Sequence, residues 1–116
     1  RFFSTHFPDR PLVAFACKSW LLDPLLDGLL PPGANLVRFQ RQMYLVPLPG
    51  NQEDALEWVF DGKQANLAVA PRDTSLRRAV LIHIEKGGQL RGGGCFLFPE
   101  DLPAWGTAMY RRAYVP

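Results

Sequence analysis

The chain is predicted to be a mixed α/β domain in which a central sheet is flanked by helices. Three observations predict it: Leu12–Trp20 is apolar on both alternating faces, Leu36–Val46 alternates apolar and polar, and two amphipathic stretches carry helix start and stop signals. At 116 residues the chain holds one domain with a modest core. Its 47% hydrophobic and 21% charged residues are those of an ordinary globular chain rather than a disordered one.

The opening RFFSTHF (1–7) reads as the last turn or two of a helix already under way, so a piece of a longer protein is expected. Pro8, Asp9, Arg10 and Pro11 break it. Leu12–Trp20 then reads as a strand. Leu12, Ala14 and Ala16 lie on one face and Val13, Phe15 and Cys17 on the other, the pattern of a central strand covered on both sides. Lys18 and Ser19 end that pattern and open it to a cleft. LLDPLLDGLL follows as short helical turns limited by Pro24 and Gly28, and Pro31-Pro32-Gly33 is a sharp turn.

Leu36–Val46 is the second predicted strand. Val37, Phe39, Met43 and Leu45 share one face, and Arg38, Gln40, Gln42 and Tyr44 the other. Arg41 falls on the apolar face, where a guanidinium is costly unless paired or turned outward. Asn51 caps a helix over Gln52–Phe60 that buries Leu56, Val59 and Phe60. Residues 65–70 fit a short strand or a helical turn. The clearest helix is Ser75–Lys86: Asp73, Thr74 and Ser75 are capping types, and Leu76, Ala79, Val80, His83 and Ile84 recur at helical spacing. Gly87-Gly88 supplies the left-handed stop. A last strand is expected over Cys95–Phe98, then an irregular tail (99–116) with one helical turn around Ala108–Arg112.

The residues exclude more than they assign. A formal charge of +2 with dispersed arginines lacks the basic stripe and stacking platforms of a nucleic-acid binder. No apolar run approaches the ~18 residues of a membrane span, and no secretory segment is legible. A cytoplasmic setting is therefore the expectation. Cys17 and Cys95 form neither a disulfide framework nor a zinc site and read as small buried hydrophobes. His6 and His83 have no partner at ligand spacing, so no metal is expected, and His83 reads as a satisfied core residue. Gln89, Gly92 and Gly94 match a pyrophosphate-loop spacing, but they follow a helix and precede a strand, the reverse of what such a loop needs, and read as a plain turn. Asp23 and Asp27 read as solvated turn residues, and Ser19 lacks a nucleophile elbow.

Two candidate sites remain. In open α/β sheets ligands gather at strand C-terminal ends, which points to Lys18, Ser19 and Trp20 opposite the Arg38 and Gln40 face of the second strand. The alternative there is a solvated sheet end. The second candidate is an anion site at the Thr74 and Ser75 amides with Arg77 or Arg78, since a helix start carries roughly half a positive charge. The alternative is a structural cap in which Asp73 occupies those amides.

Read together, CKSWLLDP (17–24), PPGANLVRFQRQM (31–43) and PRDTSLRRAVLIHI (71–84) resemble, in order and spacing, the C-terminal domain of bacterial two-domain GNAT-like acyltransferases. The likeness covers about residues 1–98. It implies a GNAT-like α/β fold preceded by another domain of the same chain. It also implies acyl transfer from acyl-CoA or acetyl-CoA, as co-substrate, to the amine of a small-molecule acceptor; the anion expected at the helix start is a CoA phosphate or a carboxylate. No catalytic residue is carried over. The family's first segment reads Cys-His-Ser-Trp, whereas this chain has Lys18 in place of the histidine. Were that histidine a general base, this chain would lack it. A non-catalytic ligand-binding or interaction domain is the alternative function.

Overall fold

The computed structural model describes residues 1–62 and 66–109. Among the described residues, five helices and three strands follow in the order α1 (Phe2–His6), β1 (Phe15–Ser19), α2 (Leu26–Leu29), α3 (Asn35–Gln40), β2 (Tyr44–Leu48), α4 (Gln52–Val59), α5 (Ser75–Glu85) and β3 (Gly92–Leu97). Short 3-10 turns occupy Trp20–Leu22, Leu67–Val69 and Pro99–Ala104. The strands form one antiparallel sheet in the order β1-β3-β2. Because β3 runs against both neighbours, β1 and β2 point the same way and their C-terminal ends meet at the start of β3. Ser19 pairs with Gly93, and Leu48 with Gly92.

The mixed architecture of sheet and flanking helices agrees with the sequence, and so do the two long helices. In α4, Asn51 accepts a hydrogen bond from the Glu53 amide at 2.9 Å, and Ala55, Leu56 and Val59 are buried. In α5, the Thr74 hydroxyl accepts from the Arg77 amide at 3.1 Å, which makes Thr74 rather than Asp73 the cap. Gly87, at φ 83°, ends α5, with its amide on the Ile84 carbonyl and the Gly88 amide on that of His83. Val80 and Leu81 pack with Ala55, Leu56, Val59, Phe60, Ala70 and Leu90, and Trp20 seals the cluster. A second cluster, Leu26, Leu30 and Val37, lies against Leu76 and Ala79 on α5. The stripe on α5 therefore serves both cores. Of the stretch 65–70, residue 65 lies outside the described residues and Leu67–Val69 form a 3-10 turn, while the predicted turn over Ala108–Arg112 lies largely outside the described residues.

The second strand is not the one predicted. Residues 35–40 are helical, and strand pairing starts only at Tyr44. The alternation of Val37 and Phe39 hid a three-residue spacing: Val37 and Gln40 are both fully buried, a spacing that a helix places on one face and a strand on opposite faces. The Gln40 amide donates to the carbonyls of Leu21 at 2.7 Å and Asp23 at 3.1 Å, fixing that helix face. Arg41, expected on an apolar face, caps α3 and pairs with Asp27 at 2.8 Å.

The first strand is also displaced. It is an edge strand, shorter than Leu12–Trp20, and Phe15–Lys18 are exposed. The central, buried strand is β3. Its first half is Gly92-Gly93-Gly94, which shows no side-chain alternation and so reads as a turn in sequence. The glycines answer a steric need. A Cβ on Gly93 would overlap the Leu22 carbonyl, and one on Gly94 would stand 2.9 Å from Leu48 Cδ1. The turn at Trp20–Leu22 crosses directly over this bare backbone.

Gly93→Ala is therefore expected to lower unfolding free energy by about 3 kcal/mol, measured by urea denaturation. Gln40→Ala, which removes the side-chain donor to the Leu21 carbonyl and one of two donors to the Asp23 carbonyl, is expected to cost about 1–3 kcal/mol.

Candidate functional site

A cleft of about 660 Å³ lies at the meeting of the strand ends. Lys18, Ser19 and Trp20 form one wall, and Pro49, Gly50 and Asn51 the turn from β2 into α4. Asp54 and Trp58 project from α4, and Arg91 and Gly92 lead into β3. Three of the five sequence-predicted cleft residues thus line it. Arg38 does not: it borders a separate depression with Asn35, Arg41 and Trp105. Gln40 is sealed in the core, holding two carbonyls. Both were placed in the cleft on the premise that 36–46 is a strand, and the helix α3 turns them away.

Residues not singled out by sequence complete the cleft. Arg91 is held by its backbone. Its amide donates to Asp23 Oδ2 at 2.8 Å, and the preceding Leu90 amide donates to Gln52 Oε1 at 2.9 Å. Asp23 is buried, and its other oxygen accepts from the Leu25 amide at 3.0 Å. Asp23 and Asp27 are thus not solvated turn residues, since one accepts from backbone amides and the other pairs with Arg41. Gly50 lies so close to Gly92 that a Cβ would overlap the Gly92 amide, which draws the start of α4 against the central strand. Trp58 is 72% exposed and presents its indole face along this wall. No sequence signal marks Arg91, because its place depends on Asp23, far away in the chain.

The cleft gathers two cations, Lys18 and Arg91, one carboxylate, Asp54, and a half-buried and an exposed indole. Excess positive charge beside flat aromatic surface suits phosphates and a heteroaromatic ring. The Ser19 hydroxyl accepts from the Leu21 amide at 3.2 Å and so caps the following turn. Its role is local.

The predicted anion site at Thr74, Ser75, Arg77 and Arg78 is assembled differently. Arg77 donates to both oxygens of Asp73 at 3.0 and 3.2 Å, to the Val59 carbonyl at 2.8 Å and to Asp61, with its guanidinium over the Phe60 ring. Arg78 donates to the Arg72 carbonyl at 2.9 Å, and Arg72 pairs with Glu85. The hydrogen bonds from Arg77 hold the Asp73 carboxyl below its ordinary range, and those to Asp73 and Asp61 raise Arg77. The cluster joins the end of α4 to the start of α5. His83 is half-buried rather than core, with Nε2 3.4 Å from the Gln89 carbonyl oxygen. Among the described residues, no three His, Cys, Asp or Glu side chains gather as a metal site, and no helix is long and apolar enough to cross a membrane.

The GNAT-like C-terminal domain model matches residues 1–97, and the chain belongs to that family. Among solved structures, it is similar to an acyltransferase in complex with CoA and 10C-teicoplanin, at 32% identity and TM-score 0.73. The same comparison covers 84% of this chain and 32% of the acyltransferase chain. An acyltransferase complex with decanoyl-CoA and teicoplanin (32% identity, TM-score 0.72) and one with decanoyl-CoA (31%, 0.72) match over the same shares. The chain thus spans about a third of the length of these relatives. No curated protein matches it.

Arg77→Ala is expected to lower the melting temperature by several degrees while leaving ligand affinity unchanged, checked by thermal melts and calorimetry on one preparation. Because the folded-state pKa of Asp73 is depressed, its contribution is present above the ordinary value of 3.8 and is lost as pH falls through the lower folded value. The melting difference between wild type and Arg77→Ala should therefore shrink at about pH 2 relative to neutral pH.

Proposed function

We propose that the chain is the acyl-CoA-binding domain of an N-acyltransferase that works together with a preceding domain of the same protein. The observation that supports it most is the polar cleft at the paired strand ends, with Lys18 and Arg91 on one wall system, in a family whose solved relatives include CoA complexes. The donor set fits the group. Arg91 offers a bidentate fork and Lys18 a point charge to phosphates, while Trp58 offers a flat face to a purine.

Acyl-CoA supplies an activated thioester. An amine attacks its carbonyl carbon, the C–N bond forms, the C–S bond breaks, and the proton shed by nitrogen neutralises the leaving thiolate. Backbone amides polarising the carbonyl and a fixed approach of the amine are the main requirements. In this reading Lys18 and Arg91 orient the phosphates, and Asp54 holds the incoming amine by hydrogen bonding. Lys18, where the family carries histidine, favours the second reading, a domain that binds acyl-CoA without turning it over.

Calorimetric titration of the full-length protein with CoA and acyl-CoA, paired with thiol release in the presence of amines, separates the two readings. Lys18→Ala and Arg91→Ala are each expected to weaken binding about tenfold, the loss of one charge-assisted hydrogen bond, with little change in melting temperature. Binding without thiol release selects the non-catalytic reading, and wild-type protein that binds neither ligand overturns both.

A further inference from the structure

The sequence contains two cysteines, Cys17 and Cys95, and the fold sets them opposite each other. Cys17 on β1 and Cys95 on β3 are register partners across the antiparallel ladder. Directly opposed residues in such a ladder have Cα atoms about 4.5–5.5 Å apart and side chains on one face. That lies inside the roughly 4.4–6.8 Å that a disulfide spans. Both side chains line the same apolar groove, about 480 Å³, with Phe15, Phe39, Met43 and Trp105.

Their surroundings differ in the way a two-cysteine device requires. Cys17 is an exposed free thiol on the edge strand, and Cys95 is a buried free thiol on the central one. The expectation that both are buried holds only for Cys95. Burial, reinforced by the neighbouring Cys17, pushes the Cys95 thiol up, so the accessible sulfur is the one an oxidant meets first.

We propose that Cys17 and Cys95 form a reversible cross-strand disulfide under peroxide, a redox modification site separate from the acyl-CoA cleft. The Cys17 thiolate attacks one peroxide oxygen, the O–O bond breaks, and Cys17 becomes a sulfenic acid while hydroxide leaves and takes up a proton as water. Cys95 sulfur then attacks Cys17 sulfur; the S–S bond forms, the S–O bond breaks, and the Cys95 proton leaves with the hydroxide as a second water. Two thiols and one peroxide thus give one disulfide and two waters. The bond fastens the edge strand to the centre of the sheet and stiffens the strand that carries Lys18 and Ser19. It also closes the floor of the apolar groove. In a reducing compartment such a bond is transient, reversed by thiol exchange.

The test is peptide mass spectrometry of the full-length protein after graded hydrogen peroxide, digested without reductant. A peptide linking Cys17 to Cys95, lighter by two hydrogen atoms than the sum of its parts, is expected at low dose and should vanish with dithiothreitol. Cys95→Ser should leave Cys17 as a trappable sulfenic acid, and Cys17→Ser should leave Cys95 reduced at the same dose. Absence of the linked peptide at every dose overturns the proposal. So does linkage of Cys17 only to another molecule while Cys95 still alkylates after unfolding. Both readouts are taken on wild-type protein, so a poorly folding variant does not decide the matter.

Discussion

The fold depends on a small buried polar junction beneath the start of the central strand. Gln40 donates to the carbonyls of Leu21 and Asp23, and the Asp23 carboxylate accepts the amides of Leu25 and Arg91. Four segments meet there: the turn after β1, the start of α2, the end of α3 and the approach to β3. Each contact uses a backbone group that helix or sheet ladders do not satisfy, and a buried group left unmet costs on the order of 1–3 kcal/mol. Gly93 completes the junction by letting the Leu22 carbonyl rest on its backbone. With it in place, the exit of β1 and the approach to β3 are held together, and the cleft between them has fixed walls.

That constraint explains the division of labour among the charged residues. Arg91 reaches the cleft because its own amide is tied down on the other side by Asp23. Arg41 and Arg77, which look equally available in sequence, have their hydrogen bonds taken by Asp27 and by Asp61 and Asp73. The clasp around Arg77 ties the end of α4 to the start of α5. The helix start at Thr74 is accordingly a joint, with its cap and its arginine both engaged. The redox pair rests on the same sheet, since the register that brings Ser19 to Gly93 also brings Cys17 to Cys95.

Sequence by itself determined the features that depend on neighbours a few residues away. The mixed α/β class, the bodies of α4 and α5, the Asn51 cap and the glycine stop after α5 follow from local hydrogen bonding and a 3.6-residue stripe. Three residues of the cleft, Lys18 to Trp20, were legible because an apolar pattern visibly ends there, and three ordered segments were enough to point to the family. What only the tertiary structure decided is whatever rests on distant partners. Residues 35–40 satisfy both periods over so short a span, and the bonds from Gln40 to the turn after β1 select the helix. The central strand is hidden because glycines have no side chains to alternate, and its identity emerges only when Leu22 crosses it. Arg91 in the cleft and Cys95 beside Cys17 are consequences of strand order, a property that no local window of sequence contains.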